Sequence, residues 1–411
     1  MRDRRARAAC HVPRAKRKHQ AGSLFGARDA ARGTEALVTT GERRVRRRLV
    51  SRKTHAARIA IIGGGKFGEM HLRAFTQLER DGQAKLVALC DLNEELLAQR
   101  RKEYGVKGYA SYEEMLAKED LDGVTVVTPD HLHRRLVVAC LKAGKHVLVE
   151  KPLDVTVEGC DEMIAAADKA ERILQVDFHK RFDPYHRQMA AQVAAGAIGQ
   201  PLYGYAWMED RIEVPRDWLR QWAGKSSPFW FLGVHMVDLI RFCTRAKGLS
   251  VFATGQKRKL ASLGLDAFDC VNARVVFDDG STFAVDTSWV LPDRFEAVVN
   301  QGIRIVGTEG IIEVDSQNRG AEACTAAEGQ QTWNLGFFLE ERDKDGSPRW
   351  SGYGIDSIAD FAHNINFLLR GGSLEQLAGK YVDGREARET TKIAVAAHQS
   401  LAAGRVVACS G

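Results

Sequence analysis

From residue 58 the chain alternates short, almost wholly apolar runs with segments whose apolar positions recur every three or four residues. The runs lie at 58–62, 86–90, 123–128, 146–150 and 173–177. Runs of this kind suit parallel strands covered on both faces. Between them, Phe67, Met70, Ala74 and Leu78 share one helical face, as do Leu132, Leu136, Cys140 and Ala143, with Gly144 stopping the second helix. Strand and helix in alternation predict an α/β fold with a doubly wound parallel sheet over residues 58–177.

Near residue 178 the pattern changes. Segments 201–209, 249–256, 269–277, 281–290 and 303–315 alternate with period two, and Asp279-Gly280 between two of them is a hairpin signal. Successive hairpins predict an α+β domain over 178–411 with an open, mostly antiparallel sheet. Helical patterns cover 228–245, 354–370 and 384–403, and the polar, small-residue stretch 316–331 reads as a loop. No internal repeat is present.

Charge divides the chain differently. Residues 1–55 hold 17 Lys/Arg against 4 Asp/Glu, whereas the rest holds 43 basic and 49 acidic residues. The mildly acidic body gives no reason to expect nucleic-acid binding. Arginine-rich and poor in large apolar residues, residues 1–57 are expected to form a disordered basic tail. A nucleic-acid tail, a transit peptide and a twin-arginine signal are the functional alternatives, the last weakened by the lack of an apolar stretch after the arginines. The 45% apolar content is that of a globular protein, and no run approaches the length of a membrane helix. Eight scattered cysteines without a CxxC pair read as reduced thiols, which fits a cytoplasmic protein.

The chemistry concentrates where the apolar runs end. The first run feeds directly into Gly63-Gly64-Gly65-Lys66-Phe67-Gly68. In a strand–turn–helix, Gly63 permits the tight turn, Gly65 lets the backbone approach a diphosphate, and Gly68 lets the helix lie close to the strand. The N–H groups at the helix start would face the diphosphate. Asp91, 23 residues past Gly68, closes the second run, where a carboxylate can accept hydrogen bonds from a ribose and disfavours a 2′-phosphate. The expected cofactor is therefore NAD, with NADP disfavoured.

Ligands in such sheets bind beyond the carboxyl ends of the strands. Thr128, Pro129 and His133 leave the third long run there, and Glu150-Lys151-Pro152 leaves the fourth, so Glu150 and Lys151 join the cofactor set. An ammonium at 151 can lie between nicotinamide and substrate and polarise the reacting oxygen. His131 and His133 lack a third partner, so no metal is expected. His235 and Asp238 fall on one helical face; the imidazole can take an alcohol proton and the carboxylate can orient it. His179 and Arg181 emerge at the last strand end. Tyr185, Arg211, Trp218 and Tyr353 are further candidates for contacts with a sugar or polyol.

Several of these motifs resemble those of the glucose–fructose oxidoreductase / inositol dehydrogenase / rhizopine-catabolism (Gfo/Idh/MocA) family. They are the loop at 63–71, Thr-Pro-Asp-x-x-His at 128–133, and Ala-Gly-Lys-His-Val-Leu-Val-Glu-Lys-Pro-Leu at 143–153. Phe-His-Lys-Arg-Phe-Asp-Pro at 178–184, Gly-Ala-Ile-Gly-Gln-Pro at 196–201, Gly-x-His-x-x-Asp at 233–238 and Val-Gly-Thr-Glu-Gly at 306–310 extend the match. The resemblance implies a Rossmann domain followed by an open-sheet α/β domain, and assembly as a homodimer or homotetramer through that sheet. It also implies oxidation or reduction of sugars, inositols or related polyols with NAD(P), with Lys151 as catalytic lysine and His235 as acid/base. Three positions depart from the pattern. Phe231 stands where many dehydrogenase members carry an aspartate, and Asp130 and His179 stand where asparagines are usual. Either Asp238 supports His235 instead, or the substrate is less polar there, or the reaction is not a simple dehydrogenation. An NAD-assisted lyase or glycosidase without net redox, and a non-catalytic nucleotide-binding regulator, are the alternatives.

Overall fold

The computed structural model describes residues 56–410. The basic tail read at 1–57 therefore lies, but for its last two residues, outside the described residues, as does Cys10. The first half runs β1 (Ala57–Ile62), α1 (Lys66–Arg80), β2 (Ala84–Cys90), α2 (Glu94–Tyr104), β3 (Lys107–Tyr109), α3 (Tyr112–Lys118), β4 (Gly123–Val126), α4 (His133–Lys142), β5 (His146–Glu150), α5 (Val157–Ala170) and β6 (Leu174–Asp177). The strands form one sheet in the order β3-β2-β1-β4-β5-β6 with every pairing parallel. The order reverses between β1 and β4, which opens a crevice at the carboxyl ends of those strands. All five apolar runs are strands of this sheet. The edge strand β3 has no such run, because three residues of Lys-Gly-Tyr carry no apolar signature.

The second half continues with α6 (Pro184–Ala194), β7 (Pro201–Arg211), α7 (Val234–Thr244), β8 (Gly248–Gln256), α8 (Lys259–Ser262), β9 (Cys270–Phe277), β10 (Thr282–Leu291), β11 (Val299–Gly307) and β12 (Ile311–Asp315). It ends with β13 (Glu322–Thr325), β14 (Gly329–Thr332), β15 (Leu339–Arg342), β16 (Pro348–Ser351), α9 (Tyr353–Leu369), α10 (Leu374–Leu377), α11 (Gly384–Ala403) and β17 (Val407–Ala408). Its seven-stranded sheet has the order β12-β11-β7-β10-β9-β8-β17. All its neighbours are antiparallel except β7 and β10. The segment 303–315, read as one strand, is a hairpin: Gly307–Gly310 turns the chain between β11 and β12. The stretch 316–331, read as a loop, contains most of a small hairpin, β13 with β14.

One face of the second sheet packs on helices and the other is open. Along β7, Gly204, Ala206, Met208 and Asp210 are buried while Tyr203, Tyr205, Trp207 and Glu209 alternate outward. The helix α9 crosses back to the first sheet. Phe361 and Ile365 share a core with Ile59, Ile61 and Leu148, and the Asn366 side chain accepts from Ala57 N at 2.9 Å while donating to the Gln83 carbonyl at 2.6 Å.

Among the described residues no helix is long and apolar enough to cross a membrane. All seven described cysteines are unpaired, and Cys90, Cys140, Cys160 and Cys243 are buried.

Candidate active site

The glycine loop joins β1 to α1. Gly63 has φ +104°, and a Cβ there would lie 2.0 Å from the Val127 carbonyl oxygen. A Cβ on Gly68 would lie 2.1 Å from the Gly63 oxygen, whereas one on Gly65 would meet nothing within 4 Å. The first and third glycines are thus fixed by packing, and the middle one borders open space. Gly65 caps α1 without any side-chain cap, leaving the N–H groups of the first turn for an anion. Asp91, at the end of β2, accepts from Gly64 N at 2.7 Å and Asn93 N at 2.8 Å. This loop fits a dinucleotide diphosphate. Gly63→Ala combines a disfavoured backbone conformation with a clash against Val127, just past β4. We expect it to weaken NAD binding roughly 5- to 150-fold, since strain of this kind costs ~1–3 kcal/mol; an unchanged dissociation constant in a fluorescence titration would show that the turn does not need glycine.

Lys151 follows β5 and is buried. Its Nζ donates to the Phe231 carbonyl at 2.7 Å and sits 4.2 Å from the centre of the Phe231 ring. Burial pulls its pKa down, opposed by Glu150, Asp130, Asp210 and Asp177. Phe231 lies in a π-helical turn, Phe229–Gly233, that leads into α7. Its ring contacts Phe67 of the glycine loop, Trp222 and Trp289 at centroid distances of 6.3, 6.1 and 5.9 Å. An aromatic wall therefore runs from the nucleotide loop to the lysine.

His235, on the first turn of α7, is buried, and its Nδ1 has no hydrogen-bond partner among the described residues. Its ring lies 4.6 Å from that of His179, which in turn stacks on Tyr353 at 5.9 Å. Burial, with Lys151 nearby, holds His235 well below the usual histidine range, and burial with Lys180 does the same for His179. Both imidazoles are neutral at pH 7.

Asp238 does not orient His235. Its two carboxylate oxygens take Arg181 Nε and Nη2 at 2.8 and 2.7 Å, and Arg181 also holds Glu386 at 2.9 Å. The i,i+3 spacing places His235 and Asp238 on one face, but the guanidinium claims the carboxylate as a fork-to-fork pair. Arg181 is correspondingly engaged in this pair.

The other candidates separate into near and far. His133 lies between two carbonyls, with Nδ1 2.8 Å from Pro152 O and Nε2 2.9 Å from Thr128 O. It fastens the Thr128-Pro129 turn to the residue after Lys151. Lys66 reaches across the crevice to Trp218, its Nζ 5.2 Å from the ring centre. Tyr353 is buried, and its hydroxyl accepts from Asn334 at 3.0 Å. Tyr185 is 55% exposed and lies under Arg319. Arg211 donates to the Phe295 carbonyl and lies beside Glu213.

Two groups that the sequence did not single out as site residues stand at the site. Asp210 is buried on the inward face of β7, and burial pushes it up to about 8, partly offset by Lys151 and the Trp289 indole. Its neighbours two and four residues earlier, Met208 and Ala206, mark the inward face and could have located it. The second group is His71 on α1, whose Nε2 lies 3.2 Å from Glu150 Oε1 and 3.9 Å from Asp177 Oδ2. Glu150 and Asp177 are register neighbours on β5 and β6. Burial, with Glu150 alongside, raises Asp177 well above the carboxylate range.

Asp210 gives a pH signature. With its folded pKa near 8 and its unfolded value near 4, the native state keeps a proton that the unfolded state has lost. Stability from this group therefore falls as pH rises from about 4 to 8. Asp210→Asn should flatten the decline between pH 5 and 8 by up to ~1 kcal/mol per pH unit. Parallel urea midpoints for both proteins across that range would contradict this.

Fold and site together define a dinucleotide-binding oxidoreductase, with the glycine loop at one end of the crevice and the buried lysine at the other. Residues 57–178 match the model of the oxidoreductase family with an NAD-binding Rossmann fold, and residues 186–313 match the GFO/IDH/MocA C-terminal domain. The chain belongs to the GFO/IDH/MocA family of oxidoreductases. It is 30% identical over 291 residues to myo-inositol 2-dehydrogenase of Thermotoga maritima, covering 70% of this chain and 84% of that protein. It is 28% identical over 265 residues to scyllo-inositol 2-dehydrogenase (NAD(+)) of Bacillus subtilis, covering 63% and 73%. The structure of scyllo-inositol dehydrogenase from Lactobacillus casei with bound NAD(H) and scyllo-inositol superposes with a TM-score of 0.69 at 18% identity, over 87% of this chain and 100% of that one.

Proposed function

We propose that this protein is an NAD-dependent dehydrogenase that moves a hydride between a CH–OH carbon of a sugar, inositol or related polyol and nicotinamide. The observation that carries the reading is Lys151, buried at the carboxyl end of β5 with a neutral His235 sharing its electrostatic surroundings. Bound NAD supplies the hydride acceptor. Residues 58–177 hold it through Gly63, Gly65, Gly68 and the start of α1, and Asp91 favours NAD over NADP by repelling a 2′-phosphate. Residues 178–411 supply the substrate side. Lys151 polarises the reacting oxygen, and His235 takes the hydroxyl proton as the carbon–hydrogen bond breaks. His179 lies against His235, and Tyr353 against His179. The aromatic wall of Phe67, Phe231 and Trp222 keeps water from the reacting carbon.

The test is NADH formation at 340 nm with a panel of sugars, inositols and sugar acids. NAD binding without NADH from any of them would overturn the reading; sugar cleavage with no net NADH would replace it with an NAD-assisted elimination. We also infer a homo-oligomer built through the open sheet face, where Tyr203 and Ile311 are 50% and 56% exposed. A one-chain mass by light scattering would contradict that.

A further inference from the structure

Lys180 is among the largest fully buried side chains of the molecule. It stands in the turn after β6, and its Nζ donates to Gln301 Oε1 on β11. That neutral amide is its one hydrogen-bond partner among the described residues, although an ammonium has three protons to donate. The carboxylates within electrostatic reach are Asp183 and Asp210. Asp183 is already taken: Arg319 reaches both of its oxygens, and His186 Nδ1 lies 3.2 Å away. Asp210 is shared with Lys151. The remaining polar neighbours, His179 and His235, are neutral, and Arg319 adds a further positive charge.

Lys151 has Glu150, Asp130, Asp210 and Asp177 around it, whereas Lys180 has no carboxylate to itself. An unbalanced buried charge is costly. In the free protein part of that cost is relieved by proton loss, since burial brings Lys180 down to about 7. A neutral polyol would leave the imbalance in place. An anionic group on the ligand would remove it and satisfy the unused Lys180 donors.

Resting on the dehydrogenase reading above, we infer that the substrate is a sugar acid, a uronate or aldonate, whose carboxylate is held by Lys180 while Lys151 and His235 act on a hydroxyl carbon. The reaction balances as for any alcohol: the carbon loses a hydride to NAD, the oxygen loses its proton to His235, and the carboxylate is unchanged.

The experiment compares matched pairs with NAD at 340 nm, D-galacturonate with D-galactose and D-glucuronate with D-glucose, with myo-inositol alongside. The acid should exceed its neutral partner in kcat/KM by roughly 10- to 100-fold, the range of one charge-assisted hydrogen bond. Lys180→Met should raise KM for the acid by a similar factor and lower kcat less, and Lys180→Arg should recover part of the loss. NAD titration of each variant reports whether it is folded. Equal or better turnover of the neutral partners would overturn the inference and leave the dehydrogenase reading standing. An equal rise in KM for acid and neutral sugar in Lys180→Met would also overturn it. NADH from none of these compounds, with NAD bound, would count against both.

Discussion

Lys151→Met is expected to lower turnover at least about a thousandfold while the protein still binds NAD. The side chain sits at the carboxyl end of β5, where the chain leaves the sheet beside the crevice, and its Nζ is fixed by the Phe231 carbonyl at 2.7 Å and the Phe231 ring. A fixed ammonium in a dry site stabilises negative charge developing on the reacting oxygen far better than water does. Burial also brings its pKa down, so it exchanges a proton more readily than a surface lysine. Removing one such electrostatic donor typically costs 10²–10³-fold, and losing a positioned proton carrier 10²–10⁴-fold. Nζ is held by Phe231 rather than by a hydrogen bond to the glycine loop, so the NAD dissociation constant should change little. Single-turnover NADH formation, paired with calorimetry on NAD, separates the two effects. Turnover within tenfold of wild type would remove the lysine from the mechanism.

His235→Asn is expected to lower kcat/KM by roughly 10²–10⁴-fold, the usual contribution of a positioned general base. Its buried Nδ1 has no partner among the described residues, which leaves the ring able to accept a proton without first breaking a bond to the protein. Because burial and Lys151 hold its pKa well below 6.5, the basic form persists at neutral and mildly acidic pH. The limb due to this group should therefore appear only well below the usual histidine range, and the variant should lack it. A wild-type limb centred above pH 7 that survives in His235→Asn would show another group acting as base. Asp238→Asn separates support from chemistry. It leaves the half-buried Arg181 with half its carboxylate partners, so its main effect should be on stability rather than on the pH profile.

The parts of the site legible in the sequence were those whose chemistry is local. Gly63, Gly65 and Gly68 follow one strand and begin one helix, and Lys151 ends another strand, so periodicity and turn residues place them without knowledge of distant contacts. Pairing across the chain was not legible. The carboxylate of Asp238 goes to Arg181, 57 residues earlier, and nothing in helical spacing decides between that guanidinium and His235. Asp210 escaped notice because a lone acid in an alternating strand looks like a surface residue until the inward register of β7 is fixed. Lys180 leaves the strand end with His179 and Arg181, where these charges could face the cleft, but nothing local marks it as the one fully buried against Gln301 of a distant strand. Short or polar strands such as β3, β15 and β16 escaped for the opposite reason: they are held by their neighbours rather than by an apolar pattern of their own.

The return of α9 to the first sheet has a practical outcome. Ile59 and Ile61 complete their cover only with Phe361 and Ile365, some 300 positions further on, so a fragment stopping at residue 178 would lay bare an oily strip and aggregate. The nucleotide half is therefore not a portable cassette: it matures only after ribosomal synthesis has passed residue 365, and grafts or circular permutations of this enzyme must carry that helix with them.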